Sequence, residues 1–211
     1  MTAISWVLLF GAAVVALLDW WAVWTSSSRL EWVAKPGVML FLVAMLVAMD
    51  VPGAARWWMV VGALAGLVGD VALMLPRERF MAGLVFFLCG HLAYVVGLGR
   101  LGFAPGPALV GLAAVVVLLS LVGRRIVSAV AADSPSLVGP VVGYLGVIST
   151  MVVVAFGTGS TVAATGGLLF YGSDAVLAWN RFVRPLRWGR IVTIMTYHLG
   201  QTALFLALTV L

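Results

Sequence analysis

The stretch WWMVVGALAGLVGDVALML, residues 57–75, decides the fold. It runs for 19 residues with one ionisable side chain, Asp70, and it begins on a tryptophan pair. A helix crosses the apolar part of a bilayer in about 20 residues, and tryptophan favours the boundary with water. The run therefore reads as a membrane span with an acid inside it. Working outward, comparable apolar runs occur at roughly 4–24, 33–49, 80–99, 106–123, 138–156, 161–180 and 190–210. The chain of 211 residues is 64% hydrophobic and 9% charged, with a mean hydropathy of +1.19. A globule with a polar surface cannot be built from that composition. The expectation is an all-α, polytopic integral membrane protein with eight transmembrane helices. It would be a single transmembrane domain over 1–211, with candidate halves 1–104 and 105–211. Short connections make neighbouring helices antiparallel.

The first run is too long and too uncharged at its start for a secretory signal, so it counts as the first helix. Asp19 near its end, among Trp20, Trp21 and Trp24, is expected to reach out to the interface. Cys89 is the only cysteine and falls inside the fourth helix, which excludes an internal disulfide and a thiolate metal cluster. It reads as a small packing residue. The net charge of +5 raises nucleic acid as a partner, but the basic residues follow topology and form no single patch. Arg29 and Lys35, Arg77 and Arg79, Arg124 and Arg125, and Arg181, Arg184, Arg187 and Arg190 fall around alternate connections; only Arg56 and Arg100 fall on the other side. Nucleic acid is thereby excluded. The positive-inside rule places both termini outside the cytoplasm, in a cell inner or plasma membrane. Trp20, Trp21, Trp24, Trp32, Trp57, Trp58, Trp179 and Trp188 lie near the expected helix ends and read as interface anchors.

A faint duplication runs through the chain. Lys35-Pro36 opens the second helix and Gly139-Pro140 the sixth, while Gly69-Asp70-Val-Ala-Leu in the third matches Ser173-Asp174-Ala-Val-Leu in the seventh. Pro36 to Pro140 and Asp70 to Asp174 share an offset of 104 residues. The fourth and eighth helices each carry a histidine, His91 and His198. With four helices per half, the repeats would share one orientation.

Depth turns the reading toward function. Asp70 lies about five residues, or roughly 8 Å, inside the cytoplasmic edge of its helix, and Asp174 lies at nearly the same level. Lys35, Asp70, His91, Asp174 and His198 come from five helices and fall in the inner half of the membrane. Ionisable groups at such depth are costly and face a bundle interior or a wet cavity, so a shared polar site is expected. The alternative is that they are glue between helices, for example Asp70 with His91. No metal motif is present, and neither histidine has a partner at ligand spacing in its own helix. G-x-S-x-G is absent, and Ser149 and Ser173 have no motif that would activate them. Gly157-Thr-Gly-Ser160 reads as a short turn, and Gly62, Gly66 and Gly69 read as close-packing surfaces.

Taken together, Lys35-Pro36, GLVGDVALML (66–75), FMAGLVFFLCGHLAY (80–94), YLGVISTM (144–151), LLFYGSDAVLAWNRF (168–182) and YHLGQ (197–201) resemble the blocks of the YhhN-like lysoplasmalogenase family, in that family's order. They touch six of the eight expected helices. The resemblance implies an eight-helix hydrolase that cleaves the vinyl ether bond of lysoplasmalogens, releasing a fatty aldehyde and a glycerophospho-alcohol. It carries the family's paired aspartates onto Asp70 and Asp174, and it implies a lysophospholipid substrate and no cofactor. Vinyl ether hydrolysis begins with proton transfer to the alkene carbon, so two carboxyl groups in different protonation states suit it. Asp174 is assigned as the acid and Asp70 as the stabiliser of the cation. Lys35, with Arg77 or Arg181, would hold the phosphate. His91, Tyr94, Tyr144, Tyr171, His198 and Gln201 are the further candidates for contact with substrate. A proton-coupled transporter or lipid-translocating protein would use the same aspartates, but the outer halves of the helices carry few polar residues for a through-path.

Overall fold

The computed structural model describes residues 1–51, 53–75 and 79–210. Among them there is no strand, and eight helices are long and apolar enough to cross a membrane: α1 (Ala3–Trp24), α2 (Ser28–Ala48), α3 (Gly53–Met74), α4 (Phe80–Gly99), α5 (Pro105–Asp133), α6 (Pro135–Gly157), α7 (Thr161–Val183) and α8 (Gly189–Thr209). Arg77 lies outside the described residues. Caps mark several starts. The Thr2 side chain accepts from the Ser5 N–H at 3.1 Å, and Ser160 accepts from Ala163 N–H at 3.3 Å, each satisfying a donor that a first turn leaves open. Before Ser160, Gly159 takes φ +76°, a conformation open to glycine, so residues 157–160 form the expected short turn. Long apolar side chains stay uncovered along the helices, Val7 at 70% and Phe10 at 72% exposure, as lipid contact requires.

The chain divides into two compact units, Met1–Arg100 with Leu208–Val210, and Leu101–Ala207. In the first, α1 packs on α2, α2 on α3, and α3 on α4. Glycines set how closely α3 and α4 approach: a Cβ on Gly90 would stand 3.0 Å from the Gly62 carbonyl, and one on Gly62 would collide with the Tyr94 ring. The second unit follows the same order, α5 on α6, α6 on α7, and α7 on α8. There a Cβ on Gly200 would stand 3.1 Å from the Gly166 carbonyl, and one on Gly166 would lie 2.8 Å from the Leu204 backbone nitrogen.

Several sequence expectations need correction. Helix α2 starts at Ser28, so Arg29 and Lys35 are helical and Pro36 lies inside the helix instead of opening it. Its missing N–H leaves the Trp32 carbonyl without the usual helical bond. Helix α5 does not stop at 123 but widens into a π-helical turn over Leu119–Gly123 and continues through Arg124–Asp133. The apolar run ended where lipid ends, whereas the helix continues because Ile126 and Val130, one turn apart, pack with Val141 against Leu145, Trp179 and Phe182. Arg124 and Arg125 therefore sit on a helix and not in a connection. Trp179 falls in a second π-turn, Trp179–Val183, and is half-buried against that same cluster. Cys89 is exposed on α4 and fills no interior gap. Asp19 is fully buried, so it does not reach the interface.

Candidate functional site

In the first unit the polar centre is an ion pair. Asp70 sits four residues before the end of α3 at Met74, about 6 Å inside, and Lys35 sits seven residues after the start of α2, about 10 Å inside. Side chains on a helix lean toward its N-terminus, so the Lys35 stem reaches back to the level of Asp70. Lys35 Nζ meets Asp70 Oδ1 at 2.8 Å, with the two side chains 15% and 3% exposed. Lys35 is expected from the sequence to hold the substrate phosphate; in the structure its ammonium meets the Asp70 carboxylate.

His91 is buried on α4, and its Nδ1 lies 2.6 Å from the Phe87 carbonyl one turn earlier. A carbonyl only accepts, so Nδ1 carries a proton. The Tyr94 ring meets His91 edge-on at 6.4 Å and lies over Gly62. Asp19, on the helix packed beside α2, adds a second buried acid to this unit. Its sequence gave a misleading signal, because three neighbouring tryptophans resemble a helix end; the residue lies five positions before Trp24, more than a turn inside.

In the second unit the Tyr144 hydroxyl on α6 donates a hydrogen bond to Asp174 Oδ2 on α7. Each unit thus holds the aspartate of its third helix with a donor from its second. Ser173, next to Asp174, donates to the Thr193 carbonyl at 3.0 Å and so ties α7 to α8; it is glue and not a nucleophile. His198 is buried beside Tyr197, ring to ring at 5.6 Å, and Tyr197 meets Phe170 edge-on at 5.3 Å. Gln201 is fully buried one turn further along α8. The Tyr171 and Ser149 hydroxyls are buried and make no hydrogen bond among the described residues. Arg181 lies in the π-turn of α7, where its guanidinium covers the Phe182 ring at 5.7 Å. Asp70 and Asp174 belong to different units.

Fold and side chains together define a multi-pass α-helical membrane protein that keeps acids, histidines and a lysine inside its spans. The model of the YhhN family matches residues 30–208, and the chain belongs to that family. Among curated proteins it is 32% identical to "Lysoplasmalogenase TMEM86B" of Rattus norvegicus, covering 92% of this chain and 81% of the rat protein. It is 31% identical to the protein of that name from Mus musculus and 30% identical to that from Homo sapiens, in both cases over 92% of this chain and 83% of the relative. No solved structure matches the chain.

Proposed function

We propose that this protein is a lysoplasmalogenase, hydrolysing the vinyl ether bond of an alkenyl-glycerophospholipid to a fatty aldehyde and a glycerophospho-alcohol. The observation that carries the reading is likeness to proteins of that name over 92% of the chain. The side chains supply chemistry that fits. Asp70, paired with an ammonium, is the carboxylate of the two acids and stabilises positive charge. Asp174, which accepts a hydrogen bond from Tyr144, is assigned as the proton donor. Its proton goes to the alkene carbon remote from the ether oxygen, and the π electrons become the new C–H bond, leaving an oxocarbenium ion. Water adds to that cation and returns a proton to Asp174. The resulting hemiacetal breaks its C–O bond to the glycerol, giving aldehyde and free hydroxyl. His91, Tyr94, Tyr171, His198 and Gln201 orient water and the glycerol oxygens, and the alkyl chain lies along apolar helix surface.

The two units are read as a duplication. If Gly90 on Gly62 corresponds to Gly200 on Gly166, then Tyr94 corresponds to Leu204 and His91 to Gln201, so the counterpart of His91 is a glutamine and not His198. The arginine distribution supports a topology with both termini outside the cytoplasm. The test is aldehyde release from alkenyl-lysophosphoethanolamine by the purified protein. Folded Asp70→Asn and Asp174→Asn variants that keep full activity would dismiss this mechanism.

A further inference from the structure

Within the second unit, the two π-helical turns face a common cavity of about 750 Å³ that none of the chemistry above uses. Its wall includes Ser120 from the first π-turn, Arg124, Arg125 and Ser128 from the helical extension of α5, Trp179 from the second π-turn, and Arg184 just beyond it. π-turns are rare within α-helices and frequently occur at functional sites. Having both around one cavity is the first observation that points to a ligand.

Charge is the second. Three guanidiniums line the cavity and none of them forms an ion pair among the described residues. The only acids of this unit are Asp133 and Asp174, and neither lines it. Arg125 is held over the Trp179 ring at 5.9 Å, which orients its fork. Besides the guanidiniums, two serine hydroxyls line it, so donors predominate in its wall. On its other side the extension is fixed by Ile126 and Val130 in the apolar cluster, so the arginines are mounted on a packed element. The size lies within the range of small-molecule sites.

We propose that this cavity is a phosphate site, accepting the phosphodiester of a glycerophospho headgroup. Phosphate offers a negative charge and several acceptor oxygens, matching a wall made of bidentate donors and hydroxyls. Trp179 follows Asp174 by five residues on α7, about 7.5 Å along the axis, comparable to the short glycerol linkage between an ether oxygen and its phosphate. As the headgroup anchor of the substrate the cavity rests on the hydrolase reading; as a phosphate site it does not.

Binding without turnover separates the two. The full chain, purified in dodecyl maltoside, is titrated calorimetrically with inorganic phosphate, with glycerophosphoethanolamine, and with a saturated alkyl-lysophosphoethanolamine, which has no vinyl ether to cleave. Saturable binding is expected, weakened about tenfold by Arg125→Gln or Arg184→Gln. Arg125→Lys, which keeps the charge and loses the fork, should fall between. Arg187→Gln, a nearby arginine over Trp188 and outside the cavity, should leave affinity unchanged. Tighter binding of the two glycerophospho compounds than of inorganic phosphate assigns the site to a headgroup; equal affinity assigns it to the free anion and overturns the headgroup claim. Absence of saturable binding in every arm, or an equal loss in Arg187→Gln, overturns the site altogether, and neither result touches aldehyde release.

Discussion

Replacing Lys35 with Met should separate the structural from the chemical role of the buried ion pair. The methionine keeps most of the stem that lies along α2, so the main loss is the ammonium 2.8 Å from Asp70 Oδ1. At that distance the attraction is about 6 kcal/mol for an effective dielectric of about 20, most of it offset by the cost of bringing both charges out of water. Removing one partner forfeits the attraction while the other charge stays buried, at a cost of about 3–5 kcal/mol. Asp70 makes further interactions, so the lower end, about 3 kcal/mol, is expected. The assay is unfolding in mixed dodecyl sulfate and dodecyl maltoside micelles, followed by tryptophan fluorescence. Adding Asp70→Asn to Lys35→Met removes the orphaned charge and should recover most of the loss, giving a coupling energy of about 2 kcal/mol. Both variants should be inactive in aldehyde release. If the single variant were as stable as the parent, or the double variant no better than the single, the pair would not be the buried contact argued above.

Tyr144→Phe deletes the donor to Asp174 with little change of volume, so aldehyde release should fall about tenfold while the unfolding midpoint barely moves. Gly166→Ala should lower stability by about 1–3 kcal/mol, because the new methyl would meet the Leu204 backbone nitrogen at 2.8 Å, and backbone yields less readily than a side chain. Gly172→Ala, with open space around it, is the matched control and should be neutral or slightly stabilising by the same unfolding measurement. Cys89, exposed on α4, should react with a membrane-permeant maleimide without loss of folding, as read by mass spectrometry and fluorescence.

Hydropathy made the eight spans legible because each buries its backbone bonds internally and presents apolar side chains to lipid. It located their ends less well. Hydropathy reports where lipid stops, and in α2 and α5 the helix outlasts the lipid: Ser28 to Val33 and Arg124 to Asp133 are polar or amphipathic turns held by helix bonding and by the Ile126–Val130–Val141 cluster. The signal for the second was present as Ile126 and Val130 one turn apart with arginines on the other face. Acids inside spans were legible as Asp70 and Asp174, but their partners were not. Nothing in the sequence couples Lys35 to Asp70 or Tyr144 to Asp174, since the depth of each depends on where its helix begins and how its side chain leans. Asp19 shows why an apolar run alone misleads near its end: hydropathy assigns such a residue to the interface, whereas packing encloses it.

The π-turn at Leu119–Gly123 also fixes rotational phase. It contains one more residue than the α-turn it replaces, and each residue turns a helix by about 100°. Without that extra residue, Arg124 to Asp133 would be swung by more than a quarter of a revolution, carrying Ile126 and Val130 off their apolar seat and the guanidiniums away from the cavity. A one-residue deletion at Leu121, conservative by composition and on an exposed position, would therefore re-aim ten residues at once. The length of this segment is constrained more tightly than the identity of most residues in it.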